Sequence, residues 1–204
     1  MRLKLYFGLI LAFFLACAAN HALAQAASAA TEAKLPLAIG AGFSGYNPDW
    51  GQGHLLGGTL WIDYAPNRVP AVLRGIGIEV EARDLNYGRS PNESANLRED
   101  VAGGGVIYYW PRYRNFRPYG KFLMGFGNRD AELMNGIRFH DSRTVTSAGG
   151  GVEYRAFRSV WVRADYEYQF WPDMIFHGGN PVAGINPQGF TVGALYHFSH
   201  PHFR

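Results

Sequence analysis

Along Phe190-Thr191-Val192-Gly193-Ala194-Leu195-Tyr196-His197-Phe198 the residue character alternates, and the segment ends on an aromatic. Successive residues of a strand point to opposite sides. Phe190, Val192, Ala194, Tyr196 and Phe198 therefore share one face, and Thr191, Gly193, Leu195 and His197 the other. Such a pattern suits a strand with lipid on one side and a polar or tightly filled interior on the other. Seven segments of like kind precede it, near 35–46, 57–65, 73–84, 99–110, 117–128, 144–156 and 160–171, the last lying at 189–198. These lengths meet the ~9–11 residues that a tilted spanning strand needs. Two architectures remain, a water-soluble barrel or sandwich and a membrane barrel.

Which face points inward separates the two. In 73–84, Ile76, Ile78, Val80 and Ala82 alternate with Gly77, Glu79, Glu81 and Arg83. In 160–171, Val162, Ala164, Tyr166, Tyr168 and Phe170 alternate with Arg163, Asp165, Glu167 and Gln169. Phe122, Met124 and Phe126 oppose Lys121, Leu123 and Gly125; Ala148, Val152 and Tyr154 oppose Ser147, Glu153 and Arg155. A soluble barrel hides the apolar face, whereas a membrane barrel turns it to lipid. Aromatics gather where an interfacial girdle belongs: Tyr108, Tyr109, Trp110, Tyr113, Phe116 and Tyr119 at one level, Tyr166, Tyr168, Phe170 and Trp171 at the other. Connections alternate too, long near 47–56, 85–98, 129–143 and 172–188, short near 66–72, 111–116 and 157–159. Together these features predict an all-β fold: an eight-stranded antiparallel up-and-down transmembrane β-barrel over 35–198, with both barrel termini periplasmic.

The first 24 residues stand apart. Arg2 and Lys4 form a positive n-region, Tyr6 to Ala16 an apolar stretch, and Ala22-Leu23-Ala24 a small-residue cleavage site. That is the pattern of an N-terminal signal peptide over 1–24, with 25–34 as a periplasmic lead-in. Lipoprotein processing at Cys17 is the competing reading, on a sequence that fits it only loosely. Of 19 basic and 16 acidic residues, the signal holds two basic ones and no acid, so the mature chain is nearly neutral. Its charge points to no nucleic-acid partner. The single cysteine leaves with the signal, so the mature chain depends on closure and not on disulfides.

Gly40-Ala41-Gly42-Phe43-Ser44, Gly103-Gly104-Gly105-Val106-Ile107-Tyr108-Tyr109, Arg117-Pro118-Tyr119-Gly120, Gly149-Gly150-Gly151-Val152-Glu153-Tyr154-Arg155 and Val162-Arg163-Ala164-Asp165-Tyr166-Glu167-Tyr168 follow one another along the chain. In that order, they resemble successive strands of the small outer-membrane β-barrel family, the OmpA-type and opacity-type barrels of Gram-negative bacteria. The resemblance covers about 35–198. It implies a place in the cell outer membrane, among outer-membrane lipid and lipopolysaccharide. It also implies recognition of the C-terminal strand by the outer-membrane assembly machinery, with Phe190, Val192, Tyr196 and Phe198 as the closing-strand signature. A tail over 199–204 follows, so either Phe198 or Phe203 is read as the closing aromatic.

Four constellations invite chemistry. Gly40 to Gly45 spells G-x-G-x-x-G, but a dinucleotide site needs a helix next, and Tyr46-Asn47-Pro48-Asp49 reads as a loop. His140-Asp141-Ser142 carries hydrolase residue types, yet lies between Arg138 and Arg143 in a segment expected to be the longest charged loop. His197, His200 and His202 could offer imidazoles to a metal, but His197 points to the interior and a flexible tail carries the other two. The interior charges are the strongest group: Glu79, Glu81, Arg83, Lys121, Glu153, Arg155, Arg163, Asp165 and Glu167. An eight-stranded barrel is just wide enough for side chains to fill, and an unpaired buried charge costs several kcal/mol. Pairing Ala156 with Val160 around Phe157-Arg158-Ser159 sets Glu153 opposite Arg163, Arg155 opposite Trp161 and Gly151 opposite Asp165, so Glu153 and Arg163 are expected partners.

The expectation is thus a non-enzymatic, monomeric barrel without catalytic residues, cofactor or metal, its lumen plugged by salt bridges. Its role would be structural or a surface interaction through four extracellular loops. Trp50, Tyr87, Met134, Phe139, Met174 and Phe176 supply those loops with apolar groups for a surface ligand that the sequence does not identify. A narrow pore for small solutes or ions and a lipid-modifying outer-membrane enzyme are the alternatives.

Overall fold

Each alternating segment forms a strand: β1 (Leu37–Asn47), β2 (Leu55–Tyr64), β3 (Ile76–Tyr87), β4 (Asn96–Tyr109), β5 (Phe116–Glu132), β6 (Arg138–Arg155), β7 (Val160–Phe170) and β10 (Gln188–His197). Between the last two lies a small antiparallel pair, β8 (Met174–Ile175) and β9 (Pro181–Val182). The computed structural model describes residues 36–49, 54–66, 69–87, 96–132, 138–172, 174–175, 181–182 and 184–198. The expected signal, lead-in and tail lie outside them.

The eight long strands close into one antiparallel barrel in which sequence neighbours pair and β10 returns to β1. Following the ladder from Leu37 through Tyr64, Ile78, Val106, Phe122, Ala148, Tyr168 and Gln188 leads back to β1 at Asn47, ten residues above the start. Such a stagger tilts the strands, as closure of a barrel requires. The closing seam runs from Ala38↔His197 to Asn47↔Gln188 and is lined with small residues, Ala41↔Ala194 and Gly42↔Gly193.

Face assignment follows the alternation. Phe43 is 85% exposed and Phe126 74%, with Leu60, Val80, Val106, Phe122, Met124, Val162 and Val192 exposed beside them. An apolar band of that extent is stable against a bilayer, not against water. Tyr108, Trp110, Tyr113 and Phe116 face outward near the rim where β1 starts and β10 ends, and Tyr166 and Tyr168 face outward on β7. Three expected girdle residues do not: Tyr109, Tyr119 and Trp171 are buried inside. Tyr109 and Tyr119 occupy odd-numbered positions of strands whose odd positions all point inward, and Trp171 keeps the inward parity of β7 one residue past its end, so parity outweighs their chemistry.

Loop lengths also depart from expectation. Strand β5 continues to Glu132 and β6 starts at Arg138, which cuts the expected 129–143 loop to 133–137. The 66–72 turn instead spans 65–75 and includes a 3-10 turn over Ala71–Leu73. The asymmetry between rims therefore comes partly from long strands. Above the lipid, β5 and β6 keep their alternation with polar residues facing water, so charge alone does not mark a loop. Of the apolar loop residues, Trp50, Met134 and Phe176 lie outside the described residues; Tyr87, Phe139 and Met174 are described only as strand positions.

Candidate functional site

Inside the barrel a charged middle layer lies between apolar clusters. Ala38, Trp61, Trp161 and Leu195 pack near the rim where β1 starts and β10 ends, while Tyr46, Leu55, Leu85 and Leu97 pack toward the far rim. Trp171, Ile185 and Val145 form a second cluster at the far rim, where the Trp171 backbone N–H donates to Ile185 O at 3.0 Å. The G-x-G-x-x-G segment lies wholly within β1, and among the described residues β2 follows it. Gly40 is there for space: a Cβ would fall 2.7 Å from Trp61 Cζ2.

Lys121 is the hub. Its Nζ lies 2.6 Å from Glu81, 2.9 Å from Glu167, 3.2 Å from Glu79 and 3.8 Å from Asp165. Arg83 joins Glu81 and Glu167, the latter at 3.1 Å. Arg163 gathers Glu79 at 2.7 Å, Asp165 at 2.9 Å and Asp63 at 3.3 Å, and donates to the Tyr119 hydroxyl at 2.6 Å. Tyr119 and Tyr109 donate in turn to Asp165 and Asp63, at 2.6 and 2.9 Å. Two arginine–glutamate pairs flank this group: Arg117 Nε to Glu153 at 2.8 Å, and Arg129 Nε to Glu99 at 2.9 Å. Opposite charges within hydrogen-bond reach offset the cost of burial, and the extra donors hold them in place.

The arginines are also stacked. Arg83 lies 4.2 Å from the Tyr46 ring centroid, Arg117 4.1 Å from Tyr109, Arg129 4.7 Å from Trp171, and Arg163 4.4 Å from Tyr119. A flat guanidinium can bind carboxylates at its edge and rings on its faces, which a lysine cannot. The layer therefore interlocks across strands far apart in sequence.

Of the nine expected interior charges, eight are buried in this network. Arg155 is half-buried and enters none of the ion pairs among the described residues. The register places Glu153 opposite Arg163, Arg155 opposite Trp161 and Gly151 opposite Asp165, as the Ser159 turn implies. The expected Glu153–Arg163 ion pair is nevertheless absent. Glu153 also faces Arg117 on its other neighbour, β5, and binds it, while Arg163 reaches across the lumen to Glu79. Sequence reasoning missed Asp63, Glu99, Arg117 and Arg129. The signal was available for two of them: Arg117 shares odd parity with Lys121, and Asp63 with Trp61. Arg129 was assigned to a loop.

His197 is buried in the lumen, its Nε2 3.2 Å from Arg117 Nη2 and its ring 5.0 Å from Trp161. His200 and His202 lie outside the described residues. The His140-Asp141-Ser142 placement is corrected outright: all three lie on strand β6. His140 and Ser142 point outward above the apolar band, and the β5 neighbours opposite them are Asp130 and Asn128. His140 Nδ1 is 2.6 Å from Asp130 Oδ1, and its Nε2 is 3.4 Å from Ser142 Oγ. The Ser142 hydroxyl donates to Asn128 Oδ1 at 2.6 Å.

Comparisons with known proteins agree with this architecture. Residues 9–198 match the outer membrane protein beta-barrel domain. Neisserial surface protein A is a similar solved structure, with a TM-score of 0.58 at 15% identity over 79% of this chain and 95% of its own. The outer membrane protein OprG from Pseudomonas aeruginosa gives 0.52 at 12% identity, over 80% and 95%. Ail, the attachment invasion locus protein of Yersinia pestis, gives 0.50 at 17% identity, over 78% and 95%. No curated protein matches the sequence.

Proposed function

The chain belongs to the outer membrane protein beta-barrel domain family and sits in the cell outer membrane as a multi-strand β-barrel, and on that premise we propose that it works at its surface, with its lumen closed by ion pairs. The carrying observation is Lys121 within 4 Å of four carboxylates, tied by Arg83 and Arg163 into one network. A solute entering would have to separate these charges in a low-dielectric interior, which costs several kcal/mol per ion. A small cavity beside Glu81 and Glu167 has a volume of ≈ 10 Å³, room for about one water. Apolar clusters toward both rims add a second obstacle.

In this reading lipid and lipopolysaccharide surround the exposed apolar band, and the far rim faces outward from the cell. The closing strand β10 is what the assembly machinery recognises. The barrel acts as a monomer, because the apolar band is continuous and its neighbours are lipids.

Planar-bilayer recording tests the closed lumen. The refolded barrel should show no sustained unitary current in 1 M salt, a concentration far above physiological that favours detection of small conductances. Steady, reproducible open-channel steps from the purified protein would overturn the reading in favour of a narrow pore.

A further inference from the structure

Outside the lumen, β5 and β6 carry a second built constellation. The ladder sets Asp130 opposite His140 and Asn128 opposite Ser142, and all four side chains point away from the barrel. Opposed residues of an antiparallel pair stand ~4.5–5.5 Å apart at Cβ, and His140 and Ser142, two apart on one strand, share a face. The result is a block of four held by the backbone ladder. Within it Asp130 Oδ1 accepts from His140 Nδ1 at 2.6 Å, which leaves Nε2 bearing the lone pair, and Nε2 lies 3.4 Å from Ser142 Oγ. This order of acid, imidazole and hydroxyl is what activates a serine nucleophile. Arg98, opposite Asp130 on its other side, is occupied by Asp84 at 3.0 Å and Asp100 at 3.2 Å, so it leaves Asp130 to His140.

Height on the wall selects the substrate. The next outward pair below Asn128↔Ser142 is Phe126↔Thr144, and Phe126 belongs to the apolar band. Two residues of strand span only ~7 Å, so Ser142 stands just above the lipid-facing surface. Ester carbonyls of membrane amphiphiles occupy that boundary. With side chains 65% exposed at His140 and 54% at Asp130, the block is open to a molecule arriving sideways through the lipid.

We propose that Ser142, His140 and Asp130 form an esterase site that cleaves ester-linked acyl chains from membrane amphiphiles. Ser142 Oγ attacks the acyl carbonyl carbon while its proton passes to His140 Nε2. The tetrahedral adduct collapses, and the alcohol oxygen departs with that proton. Water then attacks the acyl-serine, giving its proton to the same nitrogen; the fatty acid leaves and the proton returns to Ser142. Asp130 is the positioning residue that fixes the imidazole tautomer. Asn128 Oδ1 accepts the resting hydroxyl at 2.6 Å, so the Ser142 O–H turns from it toward His140 Nε2, 3.4 Å away, before the attack. The sequence reading set His140-Asp141-Ser142 in a loop; β6 carries all three, and the acid beside His140 Nδ1 is Asp130 of β5.

The test is covalent labelling of the folded, detergent-solubilised barrel with a long-chain alkyl fluorophosphonate, read by intact mass and peptide mapping. A single adduct at Ser142 is expected, absent in Ser142→Ala and slowed about 10²–10⁴-fold in His140→Ala, the range a general base contributes. Asp130→Asn should slow it as well. Heat-modifiable migration in SDS gels verifies that each variant is folded. No adduct on the folded protein, or an undiminished rate in folded His140→Ala, would overturn the site. A second assay compares p-nitrophenyl decanoate in mixed micelles with p-nitrophenyl acetate in water. Faster turnover of the micellar ester supports a membrane substrate, and equal turnover would overturn that assignment.

Discussion

Glu153 and Arg163 face each other across the β6–β7 ladder, yet the Glu153 carboxylate binds Arg117 while Arg163 lies 2.7 Å from Glu79. A strand residue inside a barrel has two lateral neighbours as well as the opposite wall. Directly opposed position therefore defines candidates, and side-chain reach chooses among them.

A double-mutant cycle separates the two possibilities. Glu153→Gln leaves Arg117 buried without its carboxylate, at a cost of ~3–5 kcal/mol. Glu153→Leu combined with Arg117→Leu should recover much of that loss, whereas Glu153 and Arg163 substitutions should add nearly independently. Folding titrations in lipid vesicles measure this. Strong coupling to Arg163 with none to Arg117 would contradict the geometry.

Removing the hub should have wider effects. Lys121→Met leaves four carboxylates crowded together, so the folded fraction in vesicles should fall sharply. Adding Glu81→Gln, which relieves the nearest charge at 2.6 Å, should restore part of it. If Lys121→Met folds as well as the parent, the hub contributes little.

The two faces should answer differently to charge. Ile78 and Val162 are exposed to the bilayer, and Arg at either position should cost ~2–4 kcal/mol near the midplane. Placing the same residue at Asn86, above the band and outside the Ser142 block, should be nearly neutral. Equal tolerance at all three positions would mean that the lipid boundary lies elsewhere.

Trp171 and Gly127 form a contact pair at the far rim. A Cβ on Gly127 would fall 2.7 Å from both Trp171 Cζ2 and Val145 Cγ2. Gly127→Val should destabilise by ~1–3 kcal/mol through overpacking. Combining it with Trp171→Ala should give less than the sum of the single losses, as measured by urea unfolding followed on gels. Full additivity would show that the two do not compete for space.

Much of the wall was legible in the sequence, because alternation fixes parity and parity fixes the face. Ile78, Val80 and Val162 lie outside and Glu79, Glu81 and Arg163 inside, as the pattern implies. The β6–β7 register was legible too, since a short connection leaves few ways to pair Arg155 and Trp161. Partner choice was not, because Arg163 and Glu79 meet across the lumen and no local pattern relates them. The upper halves of β5 and β6 were hidden for another reason. Where lipid ends, both faces become polar, so His140 to Arg143 reads as loop although its hydrogen-bond ladder continues. That misreading concealed the outer block of Asp130, His140 and Ser142.

The seam between β1 and β10 has a consequence for the order of events. Ala38 and His197, near opposite ends of the barrel segment, become neighbours only when the last strand arrives. Six of the other ladders join consecutive strands and can zip as local hairpins, and β7 meets β10 past the small β8–β9 pair, but β1 must carry a bare edge until β10 arrives. In hydrocarbon each unsatisfied backbone group costs several kcal/mol, so an open seven-stranded sheet has no resting place in the bilayer. Insertion and closure are consequently one event: β1 finds its second partner only when the ten residues of β10 are in place.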